Sequence, residues 1–452
     1  MTAAGPGWAS DAAPVFKIYI EHSGVYQIPY ERLDEAGLEG PAGVATLGLR
    51  NRGEPVPIWI EDGGDGIFGP GDRVVFLGET LRGDHSYLDP YSRFNCYVLD
   101  FGDPEPRRGS SRVSAGDPNR ESSVLLAQHH LESDLVMVRF PARREAPEEE
   151  WYWARLSVAD KEAFVQQVIL DGLVVDGERR PAGPASADEI SEAVRRAGEE
   201  RGASAEYLRS RLVSTFASPE ADSARVRVRL GLRGWSEPRH RERDSLPHHE
   251  IEIRLNGEVV GRSNWNGKDH HVHDLAIAPN LFLAGANEIS FRVPKRRYPE
   301  SGDLVVDVSL LNWIELEYAH EPRVADEQAR LRLADPGAGR FVRIHGLGKD
   351  LIELYLPEGI RVVGDDGSVA ADLTGLGDEF AVLGSDAAAA PDEIVPDRPS
   401  NLASGDRQAD YIMITHRRLQ SGTERLAEFH RQRGLAVAVV DVQDIYDEFN
   451  HG

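Results

Sequence analysis

Three carboxylates, one thiol and two histidine runs are the groups in this chain with chemistry in reach. Asp62-Gly63-Gly64-Asp65-Gly66, followed by Asp72, sets carboxylates on a Gly-rich loop. A hard cation such as calcium takes several oxygen ligands around a sharp turn, so Asp62, Asp65 and Asp72 are the candidate metal ligands. The spacing matches an EF-hand only in part, no Glu closes the loop, and the same residues also build a plain Gly-rich hairpin turn. Cys96 is the single cysteine. It can form no disulfide within the chain and no Cys-rich zinc site. A working thiol needs a nearby base, whereas Cys96 lies in the strand-like Phe94-Asn95-Cys96-Tyr97-Val98 and reads as a small core residue. In His270-His271-Val272-His273-Asp274, His271 and His273 alternate onto one strand face. Two imidazoles so placed can share a metal, but no further ligand is identifiable and a solvated strand end is the plainer reading. His129-His130-Leu131-Glu132 is a weaker cluster of the same kind. Trp235, Trp265 and Trp313 would stack on sugar rings if exposed, or pack in a core or between domains if not.

The elements that must position these groups are mostly strands. Val15 to Ile20 alternates, Gly24 turns into Val25 to Pro29, and a short helix over Tyr30 to Ala36 is stopped by Gly37. Further strand patterns, separated by Gly and Pro, make residues 15–175 a β-rich N-terminal accessory domain. Residues 1–14 read as disordered, with neither the basic start nor the apolar stretch of a signal peptide. Residues 176–211 carry sparse apolar positions among dense Glu and Arg, the pattern of a charged helical insertion. Residues 212–320 resume alternation in Val226 to Leu230 and Ile251 to Leu255, and Asn256-Gly257 is a type I′ hairpin signal. Regular strands with few helices suit a jelly-roll-like β-sandwich. Residues 321–408 read as a small β segment ending in a Pro-containing linker from Gly384 to Gln408.

Over 409–452 the pattern changes class. Tyr411 to Thr415 and Leu435 to Val440 are apolar at every position, with a helix between them. Ser421 and Glu424 have capping-box spacing. Leu419, Leu426 and Phe429 share a helical face, and Gly434 is placed to end the helix. Strand, helix and strand of this length form a parallel βαβ unit. Parallel strands without a polar face need cover on both sides, and one helix covers one side, so several more βα units are expected to follow. His416 and Asp441 end the two strands at the edge where α/β ligands bind. Each has a bland reading, a surface loop histidine and a helix cap respectively. Asp444, Asp447 and Glu448 form an acidic turn with the same choice between cation and cap.

The formal net charge of -25 argues against a nucleic-acid partner. No apolar run approaches the ~20 residues of a membrane span. With 40% hydrophobic and 28% charged residues, the chain has the composition of a globular protein rather than a disordered one.

Ala409 to His416, Arg425 to Leu435 and Val439 to Phe449, with Asp444-Ile445-Tyr446-Asp447-Glu448-Phe449 the most distinctive phrase, resemble the opening of the gingipain-type cysteine peptidase domain. Gly24 to Ile28, Asp65 to Asp72, Phe76 to Glu79, Asn95 to Tyr97 and Asn312 to Tyr318 resemble the accessory region of the type IX secretion sortase and its relatives. The resemblance implies a multidomain, mainly β protein leading into a caspase-like α/β domain with a His and Cys dyad. It implies export, often to the cell surface, and structural calcium in some members. The family's dyad lies after further strands, and no catalytic residue is carried over to this sequence. The expected role is the N-terminal accessory part of a secreted cysteine endopeptidase, inactive alone. Its expected partners are its own peptidase domain and peptide substrates, and it requires no cofactor. A glycan- or surface-protein-binding sandwich is the alternative.

Overall fold

The computed structural model describes residues 13–449 except 84–85, 90, 115–119, 121, 141–148, 161–162, 171–225, 238–244, 284, 321–322, 325–327, 335–339, 347–350, 365–366, 385–386, 398–399, 401 and 403–407. The helical insertion expected over 176–211 lies outside the described residues, as does the disorder expected over 1–14 apart from residues 13–14.

The described chain is mainly β and is built from several sheets. Val15–Ile20 pairs antiparallel with Asn95–Asp100, which pairs with Gly48–Asn51. A second sheet carries Gly24–Pro29, Arg73–Gly78 and Ile58–Glu61. Phe16, Ile18, Ile20, Ile28, Phe76 and Leu99, all fully buried, belong to the core between them. The Asn51-to-Glu54 turn puts Arg52 and Gly53 at φ of 50° and 83°, the left-handed pair that a tight hairpin requires.

Among the described residues the largest sheet has ten strands. Its central strand, Val308–His320, pairs with Leu125–Glu132 on one side and Val226–Gly234 on the other. One half is backed by the sheet of Phe164–Leu170, Gly285–Arg292, His249–Leu255 and Glu258–Trp265. The other half is backed by Phe341–Gly346 and Ser368–Asp372. A single contiguous core runs under both halves, from Leu230, Ile253 and Phe291 to Val342, Leu354 and Val382. The sandwich expected over 212–320 is therefore one half of a longer structure. Segments drawn apart in the sequence share this sheet, because Leu125–Glu132 and Gln328–Leu333 are neighbours in it. The Asn256-Gly257 hairpin is present, with both residues at positive φ (52° and 86°).

The stretch expected as a linker over 384–408 contains the strand Glu393–Pro396, which adds to the edge of Val15–Ile20. A nearly buried Lys17 anchors it through Asp397 at 3.1 Å. The amino-terminal sheets meet the long sheet through Val25, Trp59 and Val75 against Tyr355, Ala381 and Leu383. Trp59 and Tyr355 meet edge to face at 5.1 Å.

The chain ends in the expected unit. Tyr411–Thr415 and Val437–Asp441 pair in parallel, Met413 opposite Val439, and the helix Gln420–Arg431 connects them. Gly434, at φ 88°, carries the chain out of the helix. No described helix is long and apolar enough to cross a membrane.

Candidate functional site

Asp62, Asp65 and Asp72 act within their own loop. The two oxygens of Asp62 accept from the N–H groups of Gly64 and Gly66 at 3.0 and 3.1 Å. Asp65 accepts from Ile67 N–H at 2.8 Å, and Asp72 from Gly69 N–H at 2.6 Å. These are turn-forming bonds of a short acidic side chain to nearby backbone, following Asp62 and Asp65 and preceding Asp72. Gly63, Gly64 and Gly66 have φ of 65°, 86° and 79°, so the glycines supply the left-handed bends. The calcium expected here finds each carboxylate already engaged by backbone. Among the described residues, no group of three or more His, Cys, Asp or Glu side chains is placed to hold a metal.

Cys96 is buried and free of disulfide, as expected of a core residue. Trp265 is buried and lies between the rings of His249 and His271, each 4.9 Å away. It thus offers no open platform to a sugar. His271 and His273 do share a strand face, with ring centroids 6.5 Å apart. His271 Nε2 is engaged by Ser263 Oγ at 3.1 Å. Burial lowers the pKa of both rings.

The weaker histidine run turns out to be the more organised. In Leu125–Glu132 alternate residues face opposite ways, so His129 and His130 part company. Burial drives His129 down to about 3. His130 points to the outer face of the long sheet, where Nε2 meets Glu132 Oε2 at 2.7 Å and Nδ1 meets Glu315 Oε1 at 3.1 Å. Glu315 is its cross-strand partner and also accepts from Arg229 at 2.8 Å. Tyr87 stacks on the His130 ring with centroids 3.5 Å apart, and Trp313 lies at 5.7 Å. Trp313 has room because Gly231 stands opposite it; a Cβ there would lie 2.4 Å from the indole. Burial works against a charge on His130, but the bonds to Glu132 and Glu315 outweigh it and raise its pKa above the ordinary histidine value. Close by, burial together with the charges of Glu132 and Glu149 pushes Asp134 up to about 7.

At the carboxyl terminus, His416 caps rather than binds. Its Nδ1 accepts from Arg418 N–H at 3.2 Å, opening a 3-10 turn over Arg417–Leu419 that runs into the helix. The helix therefore starts at Gln420, places Ser421 inside its first turn, and has no side-chain cap of its own. The capping box expected at Ser421 and Glu424 does not form. Asp441 accepts from Gln443 N–H at 3.1 Å, the helix-cap reading of that residue. Glu448 accepts from Leu402 N–H at 2.7 Å, tying the last helix, Val442–Phe449, back to the approaching chain.

The unit's apolar groups stand in the open. Ala427 is fully buried against the strands, but Leu419, Leu426 and Phe429, the shared helical face, are 66%, 49% and 47% exposed. Ile412 and Ile414 are 62% and 61% exposed on the opposite side of the strand from Met413.

Residues 404–452 match the model of Peptidase family C25. Over 97% of its length the chain also matches the crystal structure of dimeric latent PorU from Porphyromonas gingivalis, at 13% identity and a TM-score of 0.56. The gingipain-type resemblance holds. The chain spans 38% of that PorU chain, and at 13% identity the likeness is one of fold. Two further solved structures match weakly. One is the CBM36-1 domain of a multidomain xylanase from the hindgut metagenome of Trinervitermes trinervoides, at 10% identity over 22% of this chain and 64% of that one, TM-score 0.15. The other is a beta-porphyranase of glycoside hydrolase family 86 from Bacteroides plebeius, at 9% identity over 69% of this chain and 37% of that one, TM-score 0.18. At those TM-scores neither bears on this fold. No curated protein matches the sequence.

Proposed function

We propose that this chain is the non-catalytic front of a secreted gingipain-like cysteine endopeptidase, and that its β-domains hold and orient a peptidase domain that completes the βαβ unit. The observation that carries this reading is the pair of apolar surfaces on that unit. Ile412 and Ile414 lie exposed on the strands, and Leu419, Leu426 and Phe429 lie exposed on the helix. A parallel sheet wants helices on both faces and neighbours at its edges. Each of these side chains, about half in water, forgoes roughly half of the ~1.5–3 kcal/mol that full burial gives. Further βα units of the same peptidase domain are the natural cover, and the C25 match over 404–452 supports that occupant. Export to the cell surface, as in a type IX secretion system, and protein substrates belong to the same proposal.

On this reading the chain alone turns over no peptide. The test is an assay on Arg-, Lys- and broad-specificity peptides with a reducing agent present. The expected result is no turnover above blank. Thiol-dependent cleavage that disappears in Cys96→Ala would overturn the proposal, since Cys96 is the only thiol in the sequence.

A further inference from the structure

We propose that His130, Glu132, Glu315 and Tyr87 form a pH-sensitive latch that holds the turn at residues 86–89 of the amino-terminal β-domain against the outer face of the long sheet. The geometry fixes the protonation state of the closed form. Both ring nitrogens of His130 lie within hydrogen-bond distance of a carboxylate oxygen, 2.7 Å to Glu132 and 3.1 Å to Glu315. Carboxylates only accept, so both bonds exist together only when both nitrogens carry protons. The site is closed to water, with the His130 side chain 8% exposed and that of Glu132 1%. The lid is Tyr87, whose ring lies on the imidazole at 3.5 Å with the planes 16° apart. An aromatic face attracts a cation and has less to offer a neutral ring.

Other charges facing the pair define its bias. From the strands beside it, Arg229 bonds Glu315 and Arg227 lies within electrostatic range of the same carboxylate. From the covering segment, Arg82 sits over the Tyr87 ring at 4.3 Å, and Arg330 also acts on that tyrosine. Glu149 adds negative charge near Glu132, and Asp134, whose carboxyl is raised to about 7, adds its own only above that pH. Deprotonation removes one of the two carboxylate bonds, leaves a nearly buried acid without its counter-charge, and loosens the stack above it. The latch is therefore closed below the ordinary histidine value near 6.5 and opens as pH rises through the higher value that His130 has in the fold.

Two measurements on the full chain test this. The first follows ring nitrogens of ¹⁵N-histidine-labelled protein through a pH titration, with His130 assigned by difference against His130→Gln. The expected result is a His130 ring that titrates above the ordinary value, with both nitrogens protonated on the acid side of its midpoint. A ring that titrates at or below that value overturns the proposal. The second is hydrogen exchange at residues 86–89, corrected for the intrinsic effect of pH. Protection should fall about tenfold or more as His130 deprotonates, the scale of one charge-assisted bond. In His130→Gln it should be low throughout and lack the step. An unchanged step in that variant, or none in the native chain, contradicts the latch. If His130→Gln does not fold, Glu132→Gln serves for both readouts. It should lower the His130 midpoint and shift the exchange step with it, and an unmoved midpoint overturns the assignment.

Discussion

The long sheet and the terminal βαβ unit use the same kind of strand to opposite effect. Val228 and Leu230 on one central strand and Ile314 and Leu316 on the next are fully buried, because smaller sheets close over them. Ile412 and Ile414 have equal apolar character but sit more than half exposed. An apolar residue in a strand thus reports a demand for cover, and its burial is decided by what packs over it. In this molecule the demand is met on the central strands of the long sheet and left open at the carboxyl terminus.

The contrast breaks most sharply under truncation of core side chains. Ile314→Ala should cost about 2–5 kcal/mol in denaturant unfolding, since it opens a cavity in the shared core. Ile414→Ala should change the same transition by no more than about 0.5 kcal/mol. Equal losses would show that the two strands are covered alike. Gly231→Ala comes next. A Cβ at this position would strike the Trp313 indole, and the overpacking should cost about 1–3 kcal/mol, read as a lowered melting temperature.

A smaller effect concerns pH within the body. Asp134 has a carboxyl raised from 3.8 to about 7. An acid raised in the fold binds its proton more tightly when folded, so it favours the fold below its unfolded value and loses that advantage as pH climbs through the folded one. Asp134→Asn should therefore raise the melting temperature at about pH 8, and the gain should shrink toward pH 4. A variant less stable than the native chain at pH 8 would show that the carboxylate is wanted there. A modest effect is expected at the acidic loop. Asp62→Asn should cost about 1 kcal/mol through weakened bonds to Gly64 and Gly66, and the melting temperature should not respond to chelator. A drop on chelation that added calcium restores would assign a cation to Asp62, Asp65 and Asp72.

The sequence made some of this legible because the signal is local. Asn256-Gly257 dictates a left-handed pair, and apolar runs flanking a helix-length segment dictate a parallel βαβ unit. Strand order in the long sheet was not legible, because alternation states which side of a strand is apolar and is silent on its neighbour. The Pro-containing stretch that supplies Glu393–Pro396 looks like a linker until Val15–Ile20 offers it an edge. Leu419, Leu426 and Phe429 share a helical face in the sequence pattern but stay about half exposed or more. The seat of the helix is instead Ala427, a small residue that lets helix and strands come close. His130 looked like the poorest histidine candidate, because its partners come from Glu315 on another strand and Tyr87 on a distant turn. Only register and tertiary contact bring them together.

Hydrogen exchange of the chain by itself tests the central contrast most directly. Amides of Tyr411–Thr415 and Val437–Asp441 should exchange orders of magnitude faster than those of Val308–His320, as strands with solvent on an apolar face do. Equal protection in the terminal pair and the central strand would mean that the unit is already closed by the rest of this chain, and the proposed docking of a peptidase domain would have no surface left to use.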